Sequence, residues 1–163
     1  MNLLNKLLAA TVAASALAVP VVARVESGTP SLIRTAEAHG ITFEYNPSDC
    51  NRGGFHGSYS GGTRTIELCY TLADAEAHDT VRHEVWHAIQ HCAAVKKGTP
   101  FEPVARRGEL DPFVRSQLSD QMIVRIKSAN PKDRHRIELE AFAAAEAYTA
   151  AQMIPLVEGW CGV

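Results

Sequence analysis

The chain has 163 residues, 46% of them hydrophobic and 21% charged, with 16 basic against 18 acidic side chains and a formal net charge of −2. That length and mixture exclude a disordered or fibrous chain. The slightly acidic balance argues against nucleic acid as a partner, because binding a polyphosphate favours a basic surface.

In chain order, Lys6 precedes an apolar, Ala-rich stretch over 7–22, and Val21-Val22-Ala23 offers a cleavage site, the pattern of an export signal over residues 1–23. Ala16-Leu17-Ala18 is an alternative cut. The stretch is short and weakly hydrophobic for a permanent anchor, so the expected product is a secreted or periplasmic chain without stable membrane insertion. Residues 24–163 are enough for one domain around one core. They retain 15 basic residues against 18 acidic ones.

Residues 31–40 read as a short helix ended by Gly40, and 41–45 alternates as a strand. Residues 51–62 hold five glycines around His56 and read as a loop. Arg64, Ile66, Leu68 and Tyr70 then alternate with Thr65, Glu67 and Cys69 on a second strand. A long helix follows: Asp74 suits its N-cap, residues 75–95 contain neither Gly nor Pro, and Gly98 stands past Lys96-Lys97 as a stop. Residues 98–112, rich in Pro, Gly and charge, should be irregular, with Arg106-Arg107 a solvated pair. Residues 113–127 read as a packing helix. Asn130 and Pro131 suit the N-cap and first position of a further helix, which carries Glu138, Glu140 and Glu146 and runs on through Ala151. The tail after Pro155 should be extended.

Four cysteines lie in the exported part, and an even count in an oxidising compartment implies two disulfides. Of the three pairings, Cys50 with Cys69 and Cys92 with Cys161 are favoured. The first closes the Gly-rich segment and the second ties down the tail. Without paired CxxC spacing, a cysteine metal cluster is disfavoured.

The most specific signal is His83-Glu84-Val85-Trp86-His87 on the long helix. Positions i and i+4 share one helical face, so both imidazoles can reach one tetrahedral ion while Glu84 projects beside them. Of the flanking positions, Thr80, Val81, Ala88 and Ile89 are uncharged and only Arg82 is not, as suits a buried metal-bearing helix.

With its uncharged flanks, this stretch resembles the zincin metallopeptidase superfamily. After His87 the chain reads Ala88-Ile89-Gln90-His91-Cys92-Ala93, without the Gly and third His of the metzincin branch. The resemblance is therefore to the gluzincins, whose third ligand is a Glu on a later helix. Glu140 is the preferred choice: it falls on a small-residue stripe with Ile137, Ala144, Ala147 and Ala151, and Glu140-Ala141-Phe142-Ala143 looks like the gluzincin ligand helix. Glu138 is its rival.

The resemblance implies an α+β, zincin-like domain with a small, mostly antiparallel sheet packed on the metal helix and further C-terminal helices. It implies a zinc ion (Zn2+) held by His83, His87 and Glu140, with Glu84 as the catalytic base that activates water against a peptide bond. It also places an extended peptide or protein substrate along the strand at 63–69. Tyr148 and His91 are the candidates for donating to the oxyanion. A zinc hydrolase acting on a cell-wall cross-link, and a secreted metal-binding protein without turnover, are the competing readings.

Overall fold

In a computed structural model, residues 28–51, 56–69 and 75–162 are described. The expected signal segment and Asp74 lie outside them. Among the described residues, six α-helices and a three-stranded sheet follow in the order α1 (Thr29–Ala38), β1 (Thr42–Tyr45), β2 (Gly57–Ser60), β3 (Thr65–Leu68), α2 (Ala75–Lys97), α3 (Arg107–Gln117), α4 (Asp120–Ala129), α5 (His135–Ala147) and α6 (Ala150–Cys161). The class is α+β, as the patterning implies.

The sheet differs from the expected one. It is mixed, ordered β1-β3-β2, with β1 and β3 parallel and β2 antiparallel to β3. β2 arises inside the segment read as a loop. It reads Gly-Ser-Tyr-Ser, without the β-branched residues that announce strands, and pairing with β3 holds it.

α2 is the central element. Its apolar face of Val81, Val85, Ala88 and Ile89 is buried against Ile66 and Leu68 of β3, Leu32 and Ile33 of α1, and Met153 and Val157 of α6. Burial at this scale supplies roughly 1.5–3 kcal/mol per large aliphatic side chain, and it fixes the helix in place. A second cluster joins Leu110 and Val114 of α3, Ile126 of α4, and Leu139 and Ala143 of α5.

The helix boundaries after α2 differ from the sequence reading. The packing helix expected over 113–127 is two helices, α3 and α4, because Ser119 turns the chain and accepts a hydrogen bond from Met122 N at 3.2 Å as the N-cap of α4. α3 also reaches back to Arg107, into the segment expected to be irregular, and includes Pro112. α5 begins at His135, after a turn at Pro131, and it stops at Ala147; Thr149 then caps α6 in a reciprocal pair with Gln152. The tail is thus helical rather than extended. Pro155 sits inside α6, where the buried Met153 and Val157 outweigh its missing hydrogen bond.

Both expected disulfides are formed, Cys50–Cys69 and Cys92–Cys161, and no cysteine is free among the described residues. The second binds the end of α6 to α2. No described helix is long and apolar enough to cross a membrane.

Candidate metal centre

α5 packs antiparallel on α2. Proceeding up α2, Arg82 Nε donates to Ala145 O (3.0 Å), the His83 ring meets Phe142 (4.3 Å between centroids), Trp86 meets Glu140, and Gln90 Nε2 donates to Ile137 O (3.0 Å). Small residues on α5, Ala141 and Ala144, let the helices approach closely. The margin of this contact opens into a cleft of about 940 Å³, walled by β2, α2, α4 and α5.

His83 and His87 project to that margin. Their Nε2 atoms are 3.1 Å apart, and Glu138 Oε2 lies 3.6 Å from the first and 3.5 Å from the second. Two ring nitrogens and an anionic oxygen gathered around one point repel one another unless a positive charge sits among them. That charge is a shared proton or a metal ion. A point about 2 Å from all three atoms exists between them, matching the bond lengths of zinc to imidazole and carboxylate. The donor set therefore fits a divalent ion.

The third carboxylate is the main departure from the sequence reading. Glu140 is 1% exposed and points away from the rings; its oxygens accept from Trp86 Nε1 (3.2 Å), Gln90 Nε2 (2.8 Å), Val104 N (2.8 Å) and Ala105 N (2.6 Å). The small-residue stripe is the dry contact between the helices, whereas a ligand that leaves a coordination position open must face the solvent-connected edge. Glu138, two residues earlier, faces that edge. Helical phase identified the buried stripe correctly, and Glu140 belongs to it, on the side of α5 away from the two imidazoles.

Glu140 nevertheless bears on the site. Gln90 donates both its amide hydrogens, to Ile137 O and to Glu140 Oε2, so its Oε1 must face His87 Nδ1, 2.7 Å away. His87 Nδ1 is then the protonated nitrogen and Nε2 presents its lone pair to the cleft. Gln90 is fully buried on α2. Its sequence signal is only a polar residue at i+3 from His87.

Glu84 stands beside the two imidazoles, its carboxylate within 4.8 Å of the ring nitrogens, and is 5% exposed. Burial raises its pKa; His83 and His87 pull the other way and Glu138 adds to the rise. A carboxylate held above its ordinary value is a better proton acceptor near neutrality. Burial also disfavours the His87 cation, but Glu138 and Glu84 outweigh it and its pKa is raised. Glu138 is opposed by burial too, yet hydrogen bonding to His83 and His87 brings its pKa far below the usual carboxylate range.

β2 lies against this face of α2 because Gly57 has no side chain. A Cβ there would fall 2.6 Å from Thr80 Cγ2, 2.9 Å from Glu67 O and 3.3 Å from Glu84 Cγ. The strand forming the cleft wall is also an edge strand. β3, where the sequence reading placed an extended substrate, is paired on both sides and has no free edge.

Neither expected oxyanion donor lines the cleft. Tyr148, at the end of α5, stacks on Trp86 at 5.5 Å and 11°. His91 is held by Tyr59, whose Oη is 2.7 Å from Nδ1, and burial followed by Arg64 lowers its pKa. Tyr59 itself is among the residues that line the cleft, on the strand that sequence patterning missed.

No protein-family model matches the chain, and no curated protein or solved structure matches it.

Proposed function

We propose that this chain is an exported zinc-dependent peptidase whose metal ligands are His83, His87 and Glu138. The observation that carries the reading is the meeting of three ligand atoms at one point on the wall of an open cleft, with a fourth, buried carboxylate beside them. When bound, zinc supplies Lewis-acid polarisation of a carbonyl and of water. Glu84 takes the proton of the attacking water and delivers it to the leaving amine, a role favoured by its raised pKa. The open side of β2 offers backbone hydrogen bonds to an extended peptide. Phe142 and Phe101 narrow the cleft and exclude water around the reacting groups. Two disulfides suit an oxidising compartment.

The test is metal analysis of the purified chain together with cleavage of a denatured protein. One zinc per chain and proteolysis are expected, with Glu84→Gln keeping the metal and losing about 10²- to 10⁴-fold in rate. Stoichiometric zinc without cleavage of any peptide sinks the peptidase reading and favours the non-catalytic one.

A further inference from the structure

The cleft is electrically lopsided. Because α2 and α5 are antiparallel, its walls at the start of α2 and end of α5 carry Glu76 and Glu146, while Arg134, just before α5, stands at the opposite end and Arg125 of α4 also lines the cleft. Neither arginine has a carboxylate partner among the described residues, although the chain is acidic overall. Arg134 is also held in place. Its guanidinium lies over the Phe101 ring, 5.8 Å from the centroid, and that ring is 6.3 Å from His87. A guanidinium placed over an aromatic face keeps its edge donors free for a planar anion.

We propose that the Arg134 end of the cleft, with Arg125, binds a carboxylate of the substrate and so sets which peptides are cut. The inference rests on the peptidase reading above. Its reach follows from the contacts: no more than about 12 Å separates the guanidinium from the His87 ring, which three to four residues of extended chain span at about 3.4 Å each. The carboxylate thus belongs to a residue within about four positions of the cut bond, either an acidic side chain or the C-terminus of a short peptide. The acidic opposite end repels the same group, so substrates enter in one direction.

Labelled peptides sharing one cleavable bond test this, with Glu or Gln placed two to four residues from the bond and with a free or amidated C-terminus. Hydrolysis is measured with the zinc-loaded full chain, and binding by fluorescence anisotropy with Glu84→Gln. Carboxylate-bearing peptides are expected to be favoured about tenfold to a hundredfold in kcat/KM, chiefly through KM, and in binding. That ratio should fall towards one in Arg134→Gln and in Arg125→Gln/Arg134→Gln. A preference following the Glu/Gln exchange identifies a side-chain carboxylate; one following amidation identifies the chain terminus. Equal treatment of carboxylate and neutral peptides by the wild type, or a preference surviving the double substitution, overturns the proposal. Hydrolysis without preference removes the carboxylate site and leaves the peptidase reading standing. A preference in binding with no hydrolysis of any peptide does the reverse.

Discussion

Exchanging each of two carboxylates on α5 for its amide separates a ligand from a structural anchor. In Glu140→Gln the amide oxygen takes the place of Oε2, which receives three donors, and the new NH2 faces Ala105 N, which loses its acceptor. One charge-assisted hydrogen bond becomes a buried donor-to-donor contact, a loss of about 3 kcal/mol. In a domain of this size that lowers Tm by roughly 6–12 °C. Gln90 keeps its acceptor, so zinc affinity, read by competition with a chromophoric chelator, should fall less than about tenfold, below the usual range for an outer-shell partner. Glu138→Gln should do the opposite. Its carboxylate is partly exposed and faces the two histidines, so Tm of the metal-free chain falls only in the pH range where that pair is ionised. Zinc affinity should fall more than about a hundredfold, beyond that outer-shell range. A Glu140→Gln chain of unchanged Tm that no longer binds zinc, beside a Glu138→Gln chain that binds normally, would refute the assignment.

Gln90→Leu removes the group that fixes the His87 tautomer; zinc affinity should drop about tenfold to a hundredfold, and nitrogen chemical shifts of the His87 ring should report mixed tautomers in the metal-free chain, whereas a single unchanged tautomer would count against the relay. Gly57→Val should push β2 off α2, costing about 1 to 3 kcal/mol by denaturant titration and slowing hydrolysis, while Gly61→Ala, whose nearest new contact is 3.4 Å, should change neither. The chelated chain should show a stabilising contribution from the Glu138–His87 pair centred between the ordinary values of 4.5 and 6.5. The depressed carboxylate contributes above its unfolded value and is lost as pH falls through its folded value; the raised imidazole contributes below its unfolded value and is lost as pH rises through its folded one. Thermal scans of Glu138→Gln against pH should lack that component. Removing Cys92–Cys161 should destabilise by about 1 kcal/mol more than removing Cys50–Cys69, because it closes 69 rather than 19 residues; equal denaturation midpoints would show that loop entropy is not the governing factor.

What could be read from the residues divides along physical lines. α2 was legible almost to its ends, because a run without Gly or Pro, a buried apolar face and Gly98 in the left-handed region (φ 65°) all act locally. The two disulfides followed from chain separation and compartment. β2 was not legible, since it exists through its pairing with β3 and through Gly57 allowing close approach to α2. The break between α3 and α4 passed unnoticed because apolar spacing continues on both sides of Ser119. Two prolines inside helices, Pro112 and Pro155, contradict local propensity and are tolerated through burial of Leu110, Val114, Met153 and Val157. At the site, the imidazole pair and Glu84 were fixed by helical spacing alone. Choosing between Glu138 and Glu140 required knowing which side of α5 meets the cleft.

Those two carboxylates are two residues apart, so they leave α5 in nearly opposite directions, one inward and one toward the cleft. The inward one is bolted to α2 and to residues 104 and 105, which sets the azimuth of the whole cylinder and thereby aims its outward neighbour. The chain should accordingly accept an extra residue in the turn before His135, where the added length can bulge outward. An insertion between the two glutamates would rotate one relative to the other by about 100° and leave no angular setting that serves both.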